Sequence, residues 1–158
     1  MLNVLSNANA AIPPAFLTHQ YENFSKSPNS AEIRKSALES VLRELNSSSS
    51  DIEASACISS DGFNIAAVLG KGVDADRYSA MCASLLALAN RAAQEVQRGS
   101  LKLVLVEGEL GVMLLVQAGQ DAILAVAAKP DRNLGMIFMN SKKYAQKVLT
   151  TLTSYPIR

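Results

Sequence analysis

The chain is poor in the residues that build chemical sites. Its 158 residues include two cysteines, one histidine and no tryptophan. Cys57 and Cys82 form no CxxC pair, and the lone His19 cannot complete a zinc ligand set beside them. The same scarcity argues against a Ser-His-Asp or Cys-His arrangement. Both thiols are expected to be buried, free and in a reducing compartment. No apolar run reaches the ~18 residues that a membrane helix requires, so no membrane insertion is expected. Met1 to Leu5 lack a basic stretch followed by a sustained apolar one, so no secretory leader is expected and the location is read as cytoplasmic.

Charge is also scarce. Charged residues make up 18% of the chain, and the formal net charge is +1. A nucleic-acid binder normally carries a basic stripe; none is present, so no nucleic-acid partner is expected. The charged share falls below the usual quarter, which points to surface covered by a partner, although an ordinary soluble protein fits the net charge equally well.

Motifs for chemistry fail one by one. Gly70-Lys71 invites a phosphate-loop reading, but Ile65 and Gly72 stand where that motif needs Gly and Ser or Thr. There is no GxGxxG and no GxSxG. Asp74 and Asp76 fall at a helix start, where they complement the dipole. Glu107 and Glu109 flank a turn. No catalytic residue, cofactor or metal ligand is expected, and the chain reads as a non-enzyme.

What the chain does have is apolar periodicity, with 49% hydrophobic residues. The length fits one domain plus a tail. Residues 1–29 form an irregular segment that holds Pro13-Pro14, Phe16, Leu17, Tyr21 and Phe24. It is either an arm whose aromatics dock on the domain or a plain disordered tail. Residues 30–153 form the domain, and 154–158 a short tail. A first helix follows Pro28, with Asn29 and Glu32 as a reciprocal cap. Ile33, Ala37, Leu38, Val41, Leu42 and Leu45 give it one apolar face. Glu53–Ser59 and Phe63–Leu69 then make a hairpin about Asp61-Gly62.

Asp74–Gln97 is the clearest helix. Its main stripe is Tyr78, Met81, Cys82, Leu85, Ala89, Ala92 and Val96, and Gly99 is its C-cap. The opposite face lines up Ala80, Ala83, Ala87 and Arg91, flanked by Asp76 and Gln94. Either small residues there let another helix approach closely, or alanine simply favours a solvated helix. Three strands follow, Leu101–Glu107, Gly111–Gln117 and Ala122–Ala128, joined by connections short enough for antiparallel hairpins. A final helix starts near Asp131 or Asn133 and buries Leu134, Ile137, Phe138, Ser141, Ala145, Val148, Leu149 and Leu152. Arg132, Lys142, Lys143 and Lys147 lie elsewhere on it.

The order is α-β-β-α-β-β-β-α. It predicts an α+β fold with a five-stranded antiparallel sheet flanked by three helices, two on one face and the long helix on the other. Strands apolar on both faces need cover on both. A bare apolar edge at Leu101–Glu107 would be hidden by pairing with a second copy.

Gly72-Val73-Asp74-Ala75-Asp76-Arg77 opening a helix, Leu105-Val106-Glu107-Gly108-Glu109 before an apolar strand, and Asn133-Leu134-Gly135 after Ala127-Ala128-Lys129-Pro130 resemble the roadblock family. That family takes its name from a dynein light chain. The bacterial MglB-like group, which regulates Ras-like small GTPases, is the nearest in flavour. The resemblance covers about residues 30–153 and implies roadblock or profilin-like α/β/α layers. It also implies a homodimer with sheets joined edge to edge through the third strand and paired long helices as a platform. The residues this assigns to a dimer or partner interface are Asp76, Arg77, Ala80, Ala83, Ser84, Ala87, Arg91, Gln94, Leu101, Leu103 and Leu105. The implied function is a non-catalytic regulator or scaffold of a Ras-like GTPase that donates no arginine finger, although Arg77 and Arg91 on the platform helix leave a finger open. The alternatives are an adaptor joining larger assemblies without a GTPase, and a small-ligand sensor.

Overall fold

The computed structural model describes residues 28–130 and 133–156. The segment read as an arm therefore lies, up to Ser27, outside the described residues, as do Asp131, Arg132 and the chain beyond Pro156.

Helix α1 runs Pro28–Ser48 and leads to strands β1, Ile52–Ser59, and β2, Asn64–Val68. Helix α2 runs Ala75–Glu95. Strands β3, Leu103–Gly108, β4, Gly111–Ala118, and β5, Ala122–Ala128, precede helix α3, Leu134–Ser154. All five strands form one antiparallel sheet in the order β2-β1-β5-β4-β3. Helices α1 and α3 cover one face and α2 crosses the other.

Local chemistry sets most boundaries. Asp74 caps α2, its Oδ1 accepting from the backbone N–H groups of Asp76 and Arg77 at 3.1 and 3.2 Å. Asn133 does the same for α3, accepting from Met136 N–H at 3.2 Å. The expected Asn29 cap is corrected. Helix α1 already includes Pro28, so Asn29 sits inside the first turn. Proline suits such a position because its φ is preset and its missing N–H costs nothing there. The end of α2 also differs from the Gly99 cap. Gln97 is the first left-handed residue, at φ 58°, and its N–H donates to the Gln94 carbonyl at 2.9 Å. Gly99 turns the chain again two residues later, at φ 77°.

The core is split by the sheet. Leu38, Leu42 and Leu45 of α1 and Val148 of α3 pack with Leu114, Leu124 and Val126, all fully buried. On the other face Ile58, Leu115, Ile123 and Ala125 meet Cys82 and Leu86 of α2. Strict alternation would put Ile52 and Cys57 on opposite faces. A bulge between Ile52 and Ala54 shifts the parity, so both enter the α1/α3 core. Between the two helices, Glu44 Oε1 accepts from Lys147 Nζ at 2.6 Å and from the Tyr144 hydroxyl at 3.2 Å. The Lys147 ammonium, then the Tyr144 hydroxyl, hold the Glu44 carboxyl below its ordinary pKa.

Gly111 opens β4 at φ 152°, and an added Cβ would lie 2.4 Å from the Ala128 carbonyl oxygen. Neighbouring backbone cannot yield easily, so Gly111→Ala should lower stability by about 1–3 kcal/mol. Gly70 has nothing within 4 Å of an added Cβ, so Gly70→Ala should stay within about 0.5 kcal/mol of wild type. Denaturant midpoints of the two variants check this. Burial also pushes the Cys57 thiol up to about 12 and raises that of Cys82. A thiol reagent at mildly alkaline pH should leave both untouched in the native chain and modify both after unfolding.

Candidate interaction surface

Surface rather than cavity chemistry distinguishes this domain. Among the described residues no cluster of three or more His, Cys, Asp or Glu could hold a metal ion, and no helix is long and apolar enough to cross a membrane.

The outer face of α2 is set by how the helix lies on the sheet. Ser79, Cys82, Ala83 and Leu86 face the strands. The stripe expected from the sequence is displaced from this one by about one residue, or roughly 100° of helix rotation. Cys82 is buried and Tyr78, Leu85 and Ala89 are half-buried, but Met81, Ala92 and Val96 point to solvent. Close packing explains the rotation. The β1–β2 turn presses against α2, and a Cβ added at Gly62 would stand 3.3 Å from Ala80 Cα and 3.5 Å from Ala83 Cβ. Only small residues allow that approach.

Ala83 is accordingly 9% exposed and belongs to the core. This corrects its placement on the outer face: its smallness serves the Gly62 turn. Asp76, Arg77, Ala80, Ser84, Ala87, Arg91 and Gln94 are exposed. Ser84 Oγ donates to the Ala80 carbonyl at 2.9 Å, so even this hydroxyl lies back on the helix. Two large apolar side chains missed by the sequence assignment share the surface, Met81 at 55% exposure and Leu88 at 64%.

Strand β3 forms one edge of the sheet beside α2. Asn90 Oδ1 accepts from Leu101 N–H at 3.1 Å and holds the α2–β3 connection. Tyr78 donates its hydroxyl to Met113 Sδ at 3.0 Å, tying α2 to β4 next to β3; burial raises the Tyr78 pKa. Leu101 and Leu103 are half-buried, whereas Leu105 is exposed. Val106, absent from the expected set, is as exposed as Leu105 at 38%. Val106 pairs with Met113, whose side chain packs in the α2-side core, so Val106 lies on the side of the sheet that carries α2. A continuous stretch of β3 from Leu105 to Gly108 is thus exposed at an unpaired edge.

Two helices beneath a five-stranded antiparallel sheet and one above define a layered α/β/α domain with an exposed apolar stretch on its β3 edge. The match to known proteins agrees. The Roadblock/LC7 domain model matches residues 38–128, and the chain belongs to that family. The uncharacterized proteins MJ1340 and MJ0310 of Methanocaldococcus jannaschii are each 37% identical to it over 111 residues, covering 70% of this chain and 96% of their own. Among solved structures, Myxococcus xanthus MglB superposes with a TM-score of 0.69 at 15% identity, covering 76% of this chain and 90% of that one. A Roadblock/LC7 domain from Streptomyces avermitilis gives 0.68 at 19%, covering 73% and 97%. An MglB with tetrameric arrangement gives 0.68 at 17%, covering 77% and 92%. These three share the fold.

Ala83→Leu should therefore destabilise the isolated domain by about 1–3 kcal/mol through overpacking against the Gly62 turn. Glu95→Gln, at the exposed end of the same helix, should change it by less than about 0.5 kcal/mol. Thermal denaturation of both variants tests the rotational setting of α2.

Proposed function

We propose that this chain is a non-catalytic, homodimeric regulator or scaffold that binds a Ras-like small GTPase in the cytoplasm. Its sheets join edge to edge through β3, and the paired α2 helices form the docking platform. One observation carries the reading: the unpaired β3 edge exposes Leu105 and Val106, and α2, which crosses the Val106 side of the sheet, exposes Ala80, Met81, Ser84, Ala87 and Leu88.

An unpaired strand edge with apolar side chains is a template for another strand. A two-fold operation uses the same patch on both copies, and it would bring the two α2 helices to the same side of a ten-stranded sheet. Small residues at Ala80, Ser84 and Ala87 permit close approach, while Met81 and Leu88 supply apolar area. Met is suited to partners of varied shape. Arg77 and Arg91 stand exposed on the same helix and give the platform charge for orienting a partner. Membership of the Roadblock/LC7 family supports a regulatory or scaffolding role over a catalytic one.

The other edge, β2, is a poorer candidate for self-pairing. It is shorter, and every residue in it is buried or half-buried.

Charges placed on the open edge should block pairing. Leu105→Lys with Val106→Lys should convert a sedimenting dimer to monomer without loss of helical circular dichroism. Capture of Ras-like GTPases on the immobilised chain should prefer the GTP-loaded form over the GDP-loaded one, and Ala87→Arg should weaken it. Equal capture of both forms, or none across a panel, would favour an adaptor that works without a GTPase.

A further inference from the structure

The end of the sheet opposite the β3–β4 turn carries a second feature, separate from the β3 edge. A cleft of about 470 Å³ opens between the first turns of α1 and the β1–β2 hairpin. Ala31, Arg34 and Lys35 form one wall, and Phe63, Asn64 and Ile65 the other. Phe63, at its rim, is 71% exposed.

Two polar atoms in the cleft walls are buried without a hydrogen-bond partner among the described residues: Arg34 Nε, a donor, and Asn64 Oδ1, an acceptor. The Arg34 guanidinium is otherwise held by Nη1, which donates to the Pro156 carbonyl at 2.8 Å. Buried groups of this kind are normally satisfied. One orphan donor and one orphan acceptor on facing walls match the C=O and N–H that any peptide backbone offers.

We propose that the cleft is the docking site for this chain's own N-terminal segment, with residues 16–24 as the occupant. The chain enters α1 at Pro28, three residues before Ala31 on the cleft wall. Phe24 lies four residues before Pro28, a reach of at most about 14 Å, so it is tethered beside the cleft. Phe16, Leu17, Tyr21 and Phe24 supply the apolar side chains. Three of the chain's eight Phe and Tyr residues fall in this short stretch. Tyr21 adds a hydroxyl for the polar part of the wall. Tethering makes the docking intramolecular, so weak contacts suffice to fill the site. Docking in this cleft involves neither the β3 edge nor a GTPase.

A nitroxide on Thr18→Cys in the full-length chain tests it, because buried Cys57 and Cys82 leave the new thiol as the reactive one. Amide signals of residues 31–35 and 59–65 should be broadened, while those of β3 and α2's outer face are not. Adding Phe16→Ser, Tyr21→Ser and Phe24→Ser should restore the broadened signals with the rest of the spectrum unchanged. Broadening that is uniform, that centres elsewhere or that survives the triple change overturns the proposal. Broadening seen in mixtures of spin-labelled and isotope-labelled chains, and only there, overturns it too, since the occupant would then be a second copy's segment.

Discussion

Everything in this fold depends on strand β5 being apolar on both faces. Six of its seven residues are buried, and they alternate between the two cores: Leu124 and Val126 into one, Ile123 and Ala125 into the other. A strand of that kind is stable only in the middle of a sheet with helices on both sides. It takes β1 on one flank and β4 on the other over nearly its full length. The short connections around it then leave β2 and β3 as the two edges. The layers follow from the same requirement, since α1 and α3 must share one face and α2 must cover the other alone.

A single helix cannot cover a five-stranded face. Helix α2 lies over β1 and β2 and reaches β3 only in part. The coverage deficit on that face falls on β3, where Val104 is half-buried and Val106 is exposed. Part of the domain's uncovered backbone and apolar surface therefore lies at the β3 edge and on the outer face of α2. An edge of this kind is either protected by charge, hidden by a partner or prone to aggregation, and Leu105 and Val106 carry no charge.

The architecture was legible in the sequence because periodicity and turn chemistry pointed the same way. Asp61-Gly62, Pro130 and the runs around Leu114 and Leu124 specified strands and their ends. At the start of α2 the sequence points to Asp74 for its fit to the helix dipole and not as a cap, and for α3 Asn133 is one of two candidates with Asp131; both caps act within three residues. The rotational setting of α2 was not legible. Met81, Leu85, Leu86 and Leu88 make the helix apolar on most of its surface, so two stripes fit the spacing equally well. The choice between them comes from a tertiary contact, the approach of Gly62 to Ala80 and Ala83, which no local pattern encodes. The same contact moves Ala83 from the surface to the core and turns Met81 outward. Parity was hidden at β1 for a similar reason: the bulge after Ile52 is a sheet-level event. The cleft beside α1 joins residues some thirty positions apart and had no sequence signal beyond the aromatics that precede Pro28.

The most direct measurement is amide hydrogen exchange along β3 as a function of protein concentration. If two copies pair through this edge, the outward amides of Leu103–Gly108 become protected as concentration rises and lose protection on dilution, while β5 stays protected throughout. If those amides exchange freely at every concentration, the edge is open in solution and the dimeric platform does not exist.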